Sequence, residues 1–218
     1  MGAHAGGTLF DIWLTGWSIC RGYALENHGS TVSVHHAENG GWTEHFLAEP
    51  DVDTFRAAAE ETRADPGRTL TIVTTRLRDL LPLGLSLGLH KAGEPQSLMS
   101  TNMMEQDVED PRLPDDGLAL LREHGATCRR VTVNWNDEHA ASGAVTVVAD
   151  AAVYDGILTA EKFRRRGLAT YVMRALTADV LQEDVRTGLL LASPDGRALY
   201  EYLGWEHQAD VVTFERRG

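Results

Sequence analysis

A predicted strand, a short basic loop and a predicted helix follow one another in the second half of the chain. The strand pattern covers Ala151–Leu158, and the helix pattern covers Gly167–Leu181, where apolar residues recur every three or four positions. The loop between them contains three consecutive arginines, Arg164 to Arg166. In a turn of this kind several backbone N–H groups point to one place, at the helix start, where the helix dipole is positive. We therefore predict a phosphate or pyrophosphate site here, although adjacent arginines are also common at a solvated helix start.

The other patterns of the second half predict a mixed α/β domain. Dense charge and two prolines in Glu105–Asp116 indicate a solvated connection before it. We expect helices at Gly117–His124, before Gly125, and at Arg197–Leu203, which Gly204 ends. Further strands are expected at Arg129–Asn134, Ala144–Ala149, Thr187–Ala192 and Val211–Phe214.

Two motifs of this half belong together. Arg164–Ala169 fits the pattern Arg-x-x-Gly-x-Ala and follows a predicted strand, and Ser193–Trp205 ends in Tyr-x-x-x-Gly-Trp. With these motifs and this spacing, the half resembles the GNAT family of acyl-CoA-dependent N-acyltransferases, whose terminal block is Tyr-x-x-x-Gly-Phe, with Trp205 here in place of Phe. The resemblance covers about Asp116 to Phe214. It implies an α/β fold with a mixed sheet, in which the C-terminal half has the GNAT fold beside a smaller N-terminal α/β domain.

The resemblance also implies which residues bind the cosubstrate, acetyl-CoA. The backbone N–H of Ile157 would polarise the thioester carbonyl, and the next two residues would pair with the pantetheine arm. The backbone of the basic loop would bind the pyrophosphate, and Ser193 would contact the pantetheine or position a tyrosine. The implied cofactor-binding residues are Ile157, Leu158, Thr159, Arg164, Arg165, Arg166, Gly167, Leu168, Ala169, Thr170 and Ser193.

Two catalytic residues are predicted. Tyr200 occupies the position where the family often uses a phenol to protonate the departing thiolate, though it could be an ordinary core aromatic. Well-known members of the family carry a Glu that acts as the catalytic base, and this chain has Val153 at that position. Because side chains alternate along a strand, Val153, Asp155 and Ile157 should share one face. Asp155 is therefore our candidate base, directly or through water; the alternative is that it caps a turn with Gly156.

The first half, residues 1–104, is predicted to be a separate α/β domain from residues 105–218. Its order of elements is similar to the opening of a GNAT fold, so it could be a degenerate copy. Leu80–His90 is apolar but interrupted by proline and glycine, and its type stays open. The other predicted elements are helices at Leu9–Leu25 and Asp51–Arg63, strands at Thr31–His35, Trp42–Leu47 and Thr69–Thr75, and an extended segment at Gln96–Met104.

Composition limits the classes of partner. Hydrophobic residues make up 43% and charged residues 24% of the chain, as in ordinary globular proteins. The net charge of −12 argues against nucleic-acid or anionic membrane binding and weakly favours a cationic partner.

Cys20 and Cys128 are expected to be separate buried free thiols in a reducing compartment, so we expect a cytoplasmic protein. His35 and His36 are interpreted as surface or packing residues, and no metal is expected.

These features predict an N-acetyltransferase that moves an acetyl group from acetyl-CoA to a primary amine of a small molecule. Direct attack in a ternary complex is favoured, because neither cysteine lies in a recognisable nucleophile motif. The acceptor is expected between the two halves, near Glu105, Asp107 or Trp135, and a homodimer is compatible with the sequence. The alternative is a CoA-binding sensor or assembly module without turnover.

Overall fold

A computed structural model describes residues 8–37, 41–106, 109–113 and 116–217. The helices are α1 (Leu9–Arg21), α2 (Val52–Ala64), α3 (Leu77–Ser86), α4 (Leu168–Val180) and α5 (Pro194–Tyr202). The strands are β1 (Leu25–His28), β2 (Thr31–His36), β3 (Trp42–Ala48), β4 (Arg68–Thr74), β5 (Leu89–Lys91), β6 (Gln96–Asn102), β7 (Leu118–His124), β8 (Arg129–Trp135), β9 (Glu138–Val148), β10 (Ala151–Thr159), β11 (Thr187–Ala192) and β12 (Glu206–Arg216). The predicted mixed α/β class is confirmed.

The chain forms two compact units that alternate along the sequence. The first contains the chain up to Gly22 together with Thr101–Leu190, and the second contains Tyr23–Ser100 and the chain from Leu191 onwards. The predicted domains, 1–104 and 105–218, are consecutive, whereas here α1 belongs to the unit with the basic loop. The pattern of an amphipathic helix shows that one face is buried, but not which sheet buries it.

Local signals set the ends of α1. The Thr8 side chain accepts a hydrogen bond from the Asp11 N–H, and the Asp11 carboxylate accepts one from the Thr8 N–H, which forms a capping box. The helix ends before the predicted Leu25, because Gly22 adopts the left-handed conformation with φ 72° and donates its N–H to the Ile19 carbonyl.

The sheet of the first unit is built around β10. Strands β7 to β10 are antiparallel neighbours in sequence order, and β10 pairs with β11 in parallel across the α4 connection. Helices α1 and α4 both pack on β9 and β10. Gly16 of α1 lies against Val153, whereas Val172 and Leu176 of α4 lie beside Gly143. The strand that leads into the basic loop is therefore covered on both faces.

One predicted helix is a strand. Gly117–His124 has helix-forming composition, but Leu118–His124 forms β7 and pairs with β8 along its full length. Its burial alternates between half-buried and exposed residues, as expected for an edge strand. The helix prediction was wrong because pairing in a hairpin outweighed the local propensity of Leu, Ala, Arg and Glu.

The strands of the second unit also pair in a mixed parallel and antiparallel arrangement, within the same continuous sheet. Strands β1, β2 and β3 are antiparallel, β3 and β4 are parallel, and β12 is antiparallel to β4, β5 and β6. Its core includes Leu47, Phe55, Leu70, Ile72 and Phe214, packed beneath α2 and α3. The untyped segment Leu80–His90 divides between α3 and β5.

No helix in the described part of the chain is long and apolar enough to cross a membrane.

The contact between α1 and β10 generates a stability prediction. A Cβ at Gly16 would lie 2.5 Å from Val153 Cβ, and the stiff valine cannot move aside. The substitution Gly16→Ala should therefore lower the free energy of unfolding by about 1–2 kcal/mol, even after the gain in helix propensity. Urea denaturation measures this, and adding Val153→Ala should restore part of the loss. The control is Gly93→Ala, where the new methyl meets nothing within 4 Å; equal effects at both sites would contradict the packing argument.

Candidate active site

Strand β10 pairs with its parallel neighbour β11 along only part of its length. Its pairing with β11 runs from Ala151 to Tyr154, although the strand continues to Thr159. On the other side its register against β9 shifts between Asp155 and Leu158, and Gly156 in this bulge has φ 63°. The edge of Ile157–Thr159 on the β11 side is therefore outside the parallel pairing. An extended ligand could pair with this edge as an added strand.

The bulge changes which face each side chain occupies. Val153 lies against Gly16 of α1, whereas the Tyr154 hydroxyl is 2.8 Å from Thr177 Oγ1 of α4. Within the bulge, Ile157 lies on the α4 face beside Gly143. Asp155 instead faces α1. The prediction that Asp155 and Ile157 share a face was wrong, because the extra residue of a bulge reverses the alternation.

Asp155 forms a two-point ion pair. Arg21, the last residue of α1, donates from Nε to Oδ2 at 2.7 Å and from Nη2 to Oδ1 at 3.1 Å. The Asp155 side chain is 15% exposed and that of Arg21 is 45% exposed. Both carboxylate oxygens are thus engaged, which the sequence did not show because 134 positions separate the two residues. The pair fixes the end of α1 to the strand just before the bulge.

The basic loop leaves the start of α4 open. The first intrahelical bond runs from the Tyr171 N–H to the Gly167 carbonyl, so the N–H groups of Leu168, Ala169 and Thr170 precede the helical ladder. Gly167 has φ 76°, and no side chain within the described residues caps this end. Arg165 also has a positive φ, 62°, which is unusual for a residue with a side chain and often marks a functional turn. These open N–H groups lie where the sequence predicted an anion site.

The side chains around the loop supply positive charge. Phe163 is buried and anchors the loop, and the Arg166 guanidinium lies 5.6 Å from its ring. Arg164, Arg165 and Arg166 are exposed, and Arg164 Nε is 3.5 Å from the Thr159 carbonyl oxygen. Exposed guanidinium groups beside open N–H groups match the charge and geometry of a phosphate ligand.

Helix α5 carries the remaining predicted residues and belongs to the second unit. Ser193 caps it by accepting a hydrogen bond from the Gly196 N–H at 3.1 Å, with Pro194 in the first turn. Tyr200 is 7% exposed and packs edge-on against Trp205, with ring centroids 6.0 Å apart. Burial raises the pKa of Tyr200 to about 12. Its phenol is therefore protonated at neutral pH, as an acid requires.

The turn before α2 in the second unit corresponds to the basic loop before α4, but it carries carboxylates. Strands β3 and β4 are parallel and joined by α2, just as β10 and β11 are joined by α4. Here Asp51 caps α2 by accepting from the Thr54 N–H at 2.7 Å, which lowers the pKa of Asp51. Glu49 accepts from the Thr75 N–H at 2.6 Å. The Asp51 carboxylate at this helix start opposes a second anion, which agrees with the absence of a basic loop in the first half of the sequence.

A polar cavity in the second unit was not predicted. It has a volume of about 450 Å³, and its lining includes Trp42, Glu44 and Ser193. Glu44 Oε1 accepts from Thr71 Oγ1 at 2.5 Å, and Glu44 Oε2 lies 3.2 Å from His36 Nε2. Burial raises the pKa of the Glu44 carboxyl. The sequence signal was weak, because these polar residues come from separate strands.

The remaining residues singled out in the sequence are the two histidines and the residues expected near the acceptor. His35 is exposed and His36 is buried, so the adjacent histidines face opposite ways as expected. Glu105 accepts from Asn102 Nδ2 at 2.8 Å, Trp135 lies against Gly117, and Asp107 is outside the described residues. The described residues contain no group of three His, Cys, Asp or Glu side chains placed to bind a metal ion.

Comparison with known proteins gives a family match within the chain. The model of FR47-like proteins matches residues 139–213, from β9 into β12. This segment includes the bulge, the basic loop and Tyr200. No curated protein matches the chain in sequence.

Solved structures share the fold over most of the chain. A GCN5-related N-acetyltransferase from Kribbella flavida is 19% identical, with TM-score 0.67, over 100% of this chain and 97% of that one. A conserved protein of unknown function from Staphylococcus epidermidis is 11% identical, with TM-score 0.64, over 97% and 98% of the two chains.

A tandem GNAT protein from the clavulanic acid biosynthesis pathway is 14% identical, with TM-score 0.59, over 88% of this chain and 82% of that one. At these identities the likeness shows a shared fold. The FR47-like match is confined to residues 139–213, whereas the fold that the chain shares with GNAT proteins extends over most of its length.

Proposed function

We propose that the protein is an N-acetyltransferase that transfers an acetyl group from acetyl-CoA to a primary amine of a small molecule. The observation that carries the proposal is the uncapped start of α4, where open N–H groups, two left-handed residues and three exposed arginines converge. This set of donors fits a pyrophosphate. The FR47-like match and the shared fold support the same class of reaction.

The open edge of β10 supports a place for the rest of the donor. The backbone of Leu158 and Thr159 would pair with the amide groups of a pantetheine arm whose pyrophosphate lies at the basic loop. The N–H of Ile157 would then hydrogen-bond the thioester oxygen and stabilise the negative charge that develops there. The amine would attack the thioester carbon directly, and no residue of this chain would carry the acetyl group.

Proton transfer is assigned to two side chains. Tyr200, kept protonated by burial, would donate a proton to the departing thiolate. Asp155 stays our candidate for the base that takes a proton from the ammonium group. Its ion pair with Arg21 gives it a second possible role, in which it holds the bulge in place without accepting a proton.

Charge supports an amine acceptor. The chain has a net charge of −12, and the cavity of the second unit is lined by Glu44 and Glu94 beside Trp42. Carboxylates and an indole face are suitable contacts for a cation. The alternative is a sensor that binds CoA without turnover, which is favoured by Val153 at the position of the missing carboxylate and by the paired state of Asp155.

The basic loop generates the first functional prediction. Acetyl-CoA should release heat on binding to the full chain in calorimetry and raise its melting temperature. The substitution Arg166→Glu should weaken this binding at least roughly tenfold, because it places an anion beside the pyrophosphate. The matched control is Arg56→Glu, because Arg56 is also an exposed arginine and lies on α2.

Equal affinity of the two variants would remove the basis of the proposal. Binding by the wild-type protein without release of free CoA thiol across a mixed panel of amines would favour the sensor.

Tyr200 generates a kinetic prediction. The substitution Tyr200→Phe should lower kcat by roughly 10²-fold with little change in KM, because the acid acts after binding. Since the pKa of Tyr200 is about 12, wild-type activity should show no alkaline loss from this group below about pH 11. Tyr202→Phe is the control on the same helix, because Tyr202 is 87% exposed; an equal loss there would argue against a specific acid.

Asp155 is tested by the pH dependence of kcat/KM. If it is the base, Asp155→Asn should lose the acidic limb. Arg21→Gln should keep that limb, because the Asp155 carboxyl group is still present. An acidic limb that persists in Asp155→Asn, with similar losses of kcat in both variants, would instead show that the pair only positions the bulge.

A further inference from the structure

The two cysteines of the chain meet in the first unit. Cys20 is in the last turn of α1 and is 3% exposed, whereas Cys128 stands just before β8 and is half-buried. Their Sγ atoms are 2.6 Å apart, although 108 positions separate them in the sequence. Two sulfur atoms that close are nearer to a disulfide bond than to an ordinary contact between thiols. The prediction of two separate buried thiols did not anticipate this pairing.

The surroundings give the two thiols different chemistry. The hydrogen bond with Cys20 and the positive charge of Arg130 hold the pKa of Cys128 at about 7. The same hydrogen bond and its own burial raise the pKa of Cys20. Arg130 Nη2 also donates to the Cys20 carbonyl oxygen at 2.5 Å, so its guanidinium is fixed beside the pair, while the nearby Asp155 charge opposes ionisation of both thiols. Cys128 is therefore the more exposed and the more readily ionised partner.

We propose that Cys20 and Cys128 are a covalent modification site, where a small-molecule disulfide such as oxidised glutathione converts them to an intramolecular disulfide. In the first step the Cys128 thiolate attacks one sulfur of the oxidant, whose S–S bond breaks and releases one thiolate. In the second step Cys20 gives up its proton and attacks Cys128 Sγ, which releases the second thiolate. Two protein thiols are oxidised and one small-molecule disulfide is reduced to two thiols.

The cross-link would join the N-terminal helix to the sheet of its own unit. Arg21, the residue after Cys20, makes the ion pair with Asp155 at the bulge of β10. A bond at Cys20 would therefore fix the helix end that contacts the strand assigned to the thioester. It would also restrict the unfolded chain over a long loop, which is the condition under which a disulfide stabilises most.

The test uses the purified full-length chain, reduced and then incubated at low concentration with excess oxidised glutathione. Thiols counted under denaturing conditions should fall from two to zero per chain, and digestion should yield one peptide pair joined through Cys20 and Cys128. A non-reducing gel should show monomers. The melting temperature should rise by about 5 °C or more and return to its starting value with dithiothreitol.

The single variants Cys20→Ser and Cys128→Ser are the controls. The melting temperature of neither variant should rise with oxidant, and Cys128 in the first variant should react with oxidised glutathione faster than Cys20 in the second.

Two persistent thiols in the wild-type protein, disulfides only between chains, or separate glutathione adducts on both cysteines would each overturn the proposal. If a variant does not fold, peptide mapping and reversal in the wild-type protein still decide. None of these measurements depends on acetyl transfer, so they can fail independently of the proposed function.

Discussion

The separation of β10 from β11 is the constraint on which the candidate site depends. As far as Tyr154, β10 is an ordinary inner strand, paired on both sides and buried beneath helices. A bulge at Gly156 changes the direction of the backbone, and the last residues of β10 are not paired with β11. Leu158 is 54% exposed, so the backbone groups of this edge are open to water or to a ligand that pairs with them. In the proposed function, the amide groups of the acetyl donor perform that role.

The chain contains two versions of the same connection, and their differences explain why only one suits an anion. Both β3–α2–β4 and β10–α4–β11 join parallel strands through a helix. The first places Asp51 on the helix start as a cap, whereas the second leaves the start open behind Gly167 and three arginines. A helix N-terminus attracts one negative group. In α2 the protein supplies that group itself through Asp51, and at the start of α4 no side chain among the described residues does so.

Much of the local structure followed from the sequence. The strand, loop and helix around Arg164–Gly167 have nearly the predicted bounds, whereas the helix that carries Tyr200 begins at Pro194, three residues before the predicted Arg197. These elements depend on neighbours within one or two turns: an apolar stripe, a glycine that adopts positive φ, or a serine that caps a helix. The helix predicted at Gly117–His124 failed because its local preference conflicted with the pairing offered by β8. The left-handed Arg165 had no signal either, since nothing local requires a non-glycine residue to adopt that conformation.

The sequence by itself determined the mixed α/β class, the resemblance to the GNAT family and the place of the basic turn proposed to bind phosphate, because each depends on short, contiguous patterns of residues. Only the tertiary structure decided that α1 belongs to the unit with that turn, that Arg21 pairs with Asp155, that the bulge separates Asp155 from Ile157, and that the two cysteines meet. These features join residues that are far apart in the chain or depend on a single inserted residue in a strand. They are fixed by the order of strands in the sheet and by which face each helix covers, and neither property is encoded in the spacing of neighbouring residues.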